Sequence, residues 1–362
     1  MTTKYCRLLS NGAHFTSDKI KFQPCCWVQP KDVEIANSSD LAFIRKTVTV
    51  EVLSNKDKFC KECINREQYG YSHSFRQRSN EFIPINAIPN KIYVLTLQID
   101  TTCNAACVMC SSSFSSLWAK QIDPKYKLKD FSSEYKNLKS LEDWSQLTRL
   151  TLVGGEPFLS KNNLDFIKSL PFPENVVISF NTNGSIVPDD EWAQALSKFK
   201  QLIISFSIDG INDQFDYIRW PLQWSKVSQN IVEILKNYKK YNKDLIWGIN
   251  ITINPMNIIQ VPDIIEHFNN IAESVGVRSP KNSKSICYGT WGLDATPKGI
   301  RDFVKNSIDK KYELSNLLES QPEVIDKFDN LILNMKELDK LRNLSYEQTF
   351  SDSFKIINGQ NS

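Results

Sequence analysis

Between residues 91 and 278 the apolar positions fall into short runs separated by longer stretches with helical spacing. The runs at 92–99, 148–153, 175–180, 202–208 and 245–253 predict strands, and a weaker one lies near 275–278. The stretches at 107–121, 161–170, 189–199, 223–240 and 259–273 predict helices. Strands alternating with helices favour parallel βα units, so five or six of them predict an α/β fold, a partial (β/α)6 TIM-like barrel. In such a barrel the chemistry sits on the loops after the strands' C-terminal ends. Residues 1–90 show few clear helices and many turn residues, which predicts a small cysteine-rich module held together by a metal. Residues 279–362 are polar and helical by pattern, with an apolar stripe of Leu314, Leu317, Leu318, Leu331, Ile332 and Leu338 that reads as packing. The expected division is therefore 1–90, 91–278 and 279–362.

Composition narrows the class. Of the 362 residues 41% are hydrophobic and 11% aromatic, enough for a packed core and too many for a disordered chain. A net charge of +3 makes no case for a nucleic-acid partner. No apolar run approaches membrane-span length, and the first fifteen residues lack the core of a signal peptide, so a cytoplasmic protein is expected. In that compartment thiols stay reduced, and clustered cysteines point to metal or redox chemistry rather than disulfides. Eight of the nine cysteines fall in the first third of the chain; Cys287 stands apart and reads as a small buried hydrophobe.

Cys103, Cys107 and Cys110 follow the first barrel strand with the spacing C-x3-C-x2-C. Thiolates are the usual ligands of iron–sulfur clusters, and three of them leave one iron of a [4Fe–4S] cube open to chelate a small molecule. A structural zinc site is the other reading; it needs a fourth ligand, and Asp100 is the nearest local candidate. The second strand ends in Gly154, Gly155 and Glu156, where glycines permit close backbone approach and a carboxylate can accept from an ammonium group. Asn181, Thr182, Asn183 and Gly184 end the third strand, either as a ligand-facing loop or as an ordinary Asn-Gly turn. Ser207, Asp209 and Gly210 end the fourth, followed by Arg219, whose planar fork matches a carboxylate or forms a solvated salt bridge. In the fifth strand Asn250, Thr252 and Asn254 alternate with apolar residues and could line a barrel interior.

This set of motifs resembles the radical S-adenosylmethionine (SAM) superfamily over the whole middle zone. Met109 departs from the aromatic residue usual before the third cysteine, but stays apolar and adaptable. The resemblance implies a SAM-binding [4Fe–4S] cluster on Cys103, Cys107 and Cys110. It implies SAM contacts from Gly154, Gly155, Glu156, Asn183, Ser207 and Arg219. The implied activity is reductive cleavage of SAM to a 5′-deoxyadenosyl radical that abstracts hydrogen from a peptide or small molecule. An external one-electron reductant such as flavodoxin or ferredoxin would feed it, with neither membrane nor nucleic acid involved. No acid–base dyad stands out.

The first zone carries Cys6, Cys25, Cys26, Cys60 and Cys63. A C-x2-C pair with two distant cysteines fits a four-thiolate site for either zinc or [4Fe–4S]. The run through Cys60, Cys63, Glu67, Gly70, Ser74, Arg76 and Asn80 resembles radical SAM proteins with a SPASM/twitch-type module, here placed ahead of the barrel. That resemblance implies an auxiliary [4Fe–4S] cluster on Cys6, Cys25, Cys60 and Cys63, with Cys26 competing with Cys25 and zinc as the alternative metal. His73, Arg76 and Arg78 form a basic stretch that either takes an anionic group or stays solvated. A non-catalytic protein stabilised by zinc or an iron–sulfur cluster is the alternative for the whole chain.

Overall fold

The computed structural model describes residues 6–16, 21–25, 28, 38–68, 74–128 and 144–359. Its centre is one eight-stranded sheet with the order β2-β1-β3-β4-β5-β6-β7-β8. The strands are β1 (Gly12–Thr16), β2 (Lys21–Gln23), β3 (Val94–Gln98), β4 (Arg149–Val153), β5 (Val177–Thr182), β6 (Gln201–Ser207), β7 (Leu245–Ile253) and β8 (Lys281–Ile286). All neighbours pair in parallel except β1 with β2, which form an antiparallel hairpin. The strand order is linear, so the six strands β3–β8 make the expected partial, open (β/α) barrel.

Alternation along the strands decides which face is covered. Leu95, Leu97, Leu150, Leu152, Ile178, Phe180, Leu202, Ile204, Phe206 and Ile249 are fully buried under the helices. Their alternates Thr96, Thr151, Ser205, Ser207, Asn250 and Thr252 are only half-buried on the other face. The covering helices are amphipathic in the expected way. Trp224–Lys236 buries Trp224, Val227, Ile231, Ile234 and Leu235 at helical spacing. It meets Val261–Val275 edge-on through Trp224 and Phe268 (ring centroids 6.1 Å). Asp189 accepts from Trp192 N–H (3.0 Å) to start the helix Asp190–Leu196, whose first turn carries Asp190 and Glu191.

Three expectations shift. The weak strand expected near 275–278 lies later, at Lys281–Ile286, because Val275 ends a helix and Gly276 caps it at φ 72°. The helix expected at 107–121 begins only at Ser116, since 103–115 is an irregular loop. Residues before 90 carry more helix than expected: Ser38–Ser54, Lys61–Gln68 and Phe75–Asn80. They also supply β1, which pairs with β3 from Gly12 opposite Val94 to Phe15 opposite Leu97, so the sheet runs across residue 90. After the barrel, the helix Ile325–Arg342 buries Leu331, Met335 and Leu338. They join a second core with Val108, Tyr217, Trp291 and Phe350, and Leu314 and Leu318 pack into the main one. No helix among the described residues is long and apolar enough to cross a membrane.

Candidate active site

The loop after β3 is gripped from several sides. Ala106 N–H donates to Trp220 O (2.7 Å) and Val108 N–H to Ile218 O (2.9 Å), so the segment after β6 holds its middle. Ser115 Oγ donates to Ala105 O (2.6 Å) and accepts from Trp118 N–H (3.2 Å), turning the chain into its helix. Ser116 Oγ accepts from Cys103 N–H (3.0 Å), and Trp118 Nε1–H donates to Cys107 O (2.6 Å). Cys103, Cys107 and Cys110 therefore sit in one fixed loop. Burial pushes Cys103 up to about 12 and Cys110 up to about 11, and raises Cys107 as well; repulsion among the three adds to the shift at Cys103 and Cys110. Thiols in that position ionise only against a strong positive charge.

Two glycines let a second loop lie on the first. A Cβ at Gly155 would stand 1.9 Å from Thr102 O, and one at Gly154, where φ is +122°, 2.5 Å from Asp100 O. Glu156 N–H donates to Thr102 O across this contact (2.7 Å). The Glu156 side chain, 1% exposed, joins a third loop: its carboxylate accepts from Thr182 Oγ1 (2.7 Å) and Asn183 N–H (2.7 Å). Burial pushes Glu156 up to about 7 against the pull of those donors. Asn183 Nδ2–H closes the ring by donating to Asn104 Oδ1 between the first two cysteines (3.0 Å). Asp100, the local zinc candidate, is already engaged by Thr102 N–H (3.0 Å), Ser160 Oγ (2.5 Å) and Asn162 Nδ2 (3.3 Å).

Arg219 is not a solvated cation. It is 7% exposed and pairs with Asp209 (0% exposed) at 2.5 Å, while Nη1 lies 3.7 Å from Cys107 Sγ. Burial opposes its charge, but Asp209 and Cys107 outweigh that and raise it. Asp209 also accepts from Thr252 N–H (2.6 Å), which fixes the turn after β6 to β7. Ser207 lies half-buried on the open face beside its register partner Asn250. Met109 packs with Trp118 against the second core.

The first zone brings a second set of cysteines together. Cys6, Cys25, Cys60 and Cys63 line one pocket with Leu8, Phe59, Phe75 and Arg76, with about 20 Å³ of enclosed space between them. Cys26, Gly70 and His73 lie outside the described residues. The polar residues around the pair tie the pieces together. Glu67, on the Cys63 helix, accepts from Ser74 Oγ (2.5 Å) and Arg76 (2.5 Å), and Arg7 N–H donates to Asn80 Oδ1 (3.0 Å), so the helix Phe75–Asn80 links the Cys6 segment to the Cys63 helix. Arg76 is thus an ion-pair partner at the pocket wall rather than a solvated base. Burial pushes Cys6 up to about 12 and raises Cys60, with repulsion from Cys63 adding to both. Among the described residues no three His, Cys, Asp or Glu side chains converge on one metal-ion position. A cluster binds each thiolate at a separate iron and does not require such convergence.

The loop's inward grip from the C-terminal region has no counterpart in the sequence reading. Arg342 Nη2–H donates to Ala106 O (2.8 Å) across 236 residues, and no local pattern marks it. Ser115 was legible in principle, as a serine ahead of a helical run.

Residues 98–268 match the family model described as the radical SAM superfamily. Among solved structures the chain is similar to anSMEcpe with AdoMet bound, at 20% identity over 70% of this chain and 65% of that one (TM-score 0.41). It is similar to SuiB of Streptococcus suis bound to S-adenosylmethionine, at 10% identity over 78% and 65% (TM-score 0.40). It is also similar to SuiB bound to precursor peptide SuiA, at 9% identity over 78% and 65% (TM-score 0.40). The chain spans about 65% of the length of these structures. No curated protein matches it in sequence.

Proposed function

We propose that this chain, whose residues 98–268 match the radical SAM family model, is an enzyme that cleaves SAM reductively at a [4Fe–4S] cluster held by Cys103, Cys107 and Cys110. The observation that carries the reading is the three-thiol loop itself, half-buried and clamped inside the segment that matches the family. Its donor chemistry fits: thiols whose burial and mutual repulsion oppose ionisation take up thiolate charge against a cationic iron core. When bound, such a cluster supplies one electron to the sulfonium of SAM, so that methionine leaves and a 5′-deoxyadenosyl radical takes hydrogen from the substrate.

The chain's own residues orient and enclose. The turn at Gly154, Gly155 and Glu156 receives the methionyl amino group, with Glu156 acting chiefly through the wall it forms with Asn183. Arg219, beside Cys107, serves the carboxylate side, and Ser207 faces the ribose. The neutral, hydrogen-bonding lining of the open face supports a peptide or small-molecule substrate. A second [4Fe–4S] cluster on Cys6, Cys25, Cys60 and Cys63 is part of the same reading, supported by the shared pocket. A flavodoxin- or ferredoxin-type donor and a reducing cytoplasm complete it.

The test is anaerobic reconstitution followed by reduction in the presence of SAM. Iron near about eight per chain is expected, about four for each cluster, together with 5′-deoxyadenosine formation. Zinc in place of iron at Cys103, Cys107 and Cys110, with no 5′-deoxyadenosine, would end the proposal. Iron near about four plus one zinc would reassign only the first zone.

A further inference from the structure

The helix Ile325–Arg342 ends on a cation without a counter-charge. Arg342 is 6% exposed and lies between the indoles of Trp118 and Trp220, at 4.8 and 5.0 Å from their centroids. Nη2–H is used twice, on Ala106 O and on Gln121 Oε1 (3.2 Å). Nε and Nη1 are buried and meet no acceptor. Among the described residues no carboxylate forms an ion pair with it. Arg219, the other guanidinium near Cys107, is neutralised by Asp209.

A buried cation with idle donors is costly unless an anion meets it. Through Nη2–H the guanidinium is held on Ala106 O, the carbonyl next to Cys107. A cubane core carrying thiolates is a net anion, more so once reduced by one electron. Hydrogen bonds to its sulfurs and nearby charge set its reduction potential.

We infer that Arg342 is a positioning residue for the cluster at Cys103, Cys107 and Cys110, donating Nε–H or Nη1–H to cluster sulfur and stabilising the reduced form. The C-terminal extension would then do more than cover the barrel: it sets how readily the cluster accepts its electron from the external donor. This rests on the radical SAM reading.

The experiment is a redox titration of the reconstituted full chain, following the EPR signal that SAM perturbs, which isolates this cluster from the one in the first zone. In Arg342→Met the ratio of reduced to oxidised cluster at fixed potential should fall about tenfold, or about 59 mV for a one-electron couple. Arg342→Lys, which keeps the charge but loses the planar donors, should fall between the two. Should Arg342→Met fail to take up iron, Arg342→Lys decides: a ratio below wild type supports the inference, and one equal to wild type overturns it. A wild-type chain with a SAM-sensitive signal and variants of unchanged potential would remove the inference and leave the radical SAM reading standing. A wild-type chain with no such signal removes both.

Discussion

The two cysteine centres are built in opposite ways. Cys103, Cys107 and Cys110 come from one loop of eight residues, and the rest of the protein closes around that loop. Cys6, Cys25, Cys60 and Cys63 come from three separated segments and meet only because helices and the β1–β2 hairpin pack as they do. The first centre is written in local spacing, while the second exists only as tertiary structure. The first offers three thiols and the second four; under the proposed function that means an open iron in one and full ligation in the other.

The largest expected effect separates the centres outright. A Cys103→Ala, Cys107→Ala, Cys110→Ala variant should lose all 5′-deoxyadenosine formation and about four irons per chain. Cys60→Ala with Cys63→Ala should lose a similar amount of iron yet still cleave SAM, both read by iron analysis and chromatography. If the second variant also stops cleaving SAM while its other cluster is loaded, the centres are not independent.

Next come substitutions in the walls of the first centre. Asp209→Asn strands Arg219 as a buried cation, and unfolding by urea should show a loss of about 3–5 kcal/mol. Gly155→Ala forces a methyl group onto Thr102 O and should cost about 1–3 kcal/mol, together with a weaker hold on the cluster. Gly276→Ala, at φ +72° but with open space around it, should cost only about 1–2 kcal/mol and leave iron content unchanged.

The last effect is a pH slope. Burial lifts the Glu156 carboxyl from its ordinary 4.5 to about 7. Between those values the folded chain holds a proton that the unfolded chain has released. Its contribution to stability is therefore greatest on the acid side and declines as pH rises through that window. Glu156→Gln should flatten this part of the stability profile of the metal-free protein, measured by thermal melts from pH 4.5 to 7.

How much of this was legible follows the same division. The strands of the barrel were readable because a strand buried under helices must carry apolar residues at every second position, and Leu245–Ile253 matches its expected span. β8 was misplaced because Lys281, Asn282 and Ser283 are exposed and carry no burial signal. The helix Ser38–Ser54 was missed for the converse reason. Phe43, Val50 and Leu53 are exposed while Leu41, Ile44, Val48 and Val52 are buried, so apolar residues on both faces erase the periodicity. At the candidate site the cysteine triplet and the loop motifs could be read from spacing. The Glu156 link to Asn183 and the Arg219 pair with Asp209 needed the fold, because contacts between strand ends leave no trace in local sequence. Arg342 was the least accessible, an isolated arginine on a helix at the far end of the chain.

The central claim is that the cube held after β3 keeps one iron free for SAM. Mössbauer spectra of the chain, loaded anaerobically with isotopically enriched iron and recorded with and without SAM, test it directly. The expected result is a change at a single iron of one cluster when SAM is added, absent in the Cys103→Ala, Cys107→Ala, Cys110→Ala variant. Spectra that SAM leaves untouched in a fully loaded wild-type chain would contradict the account.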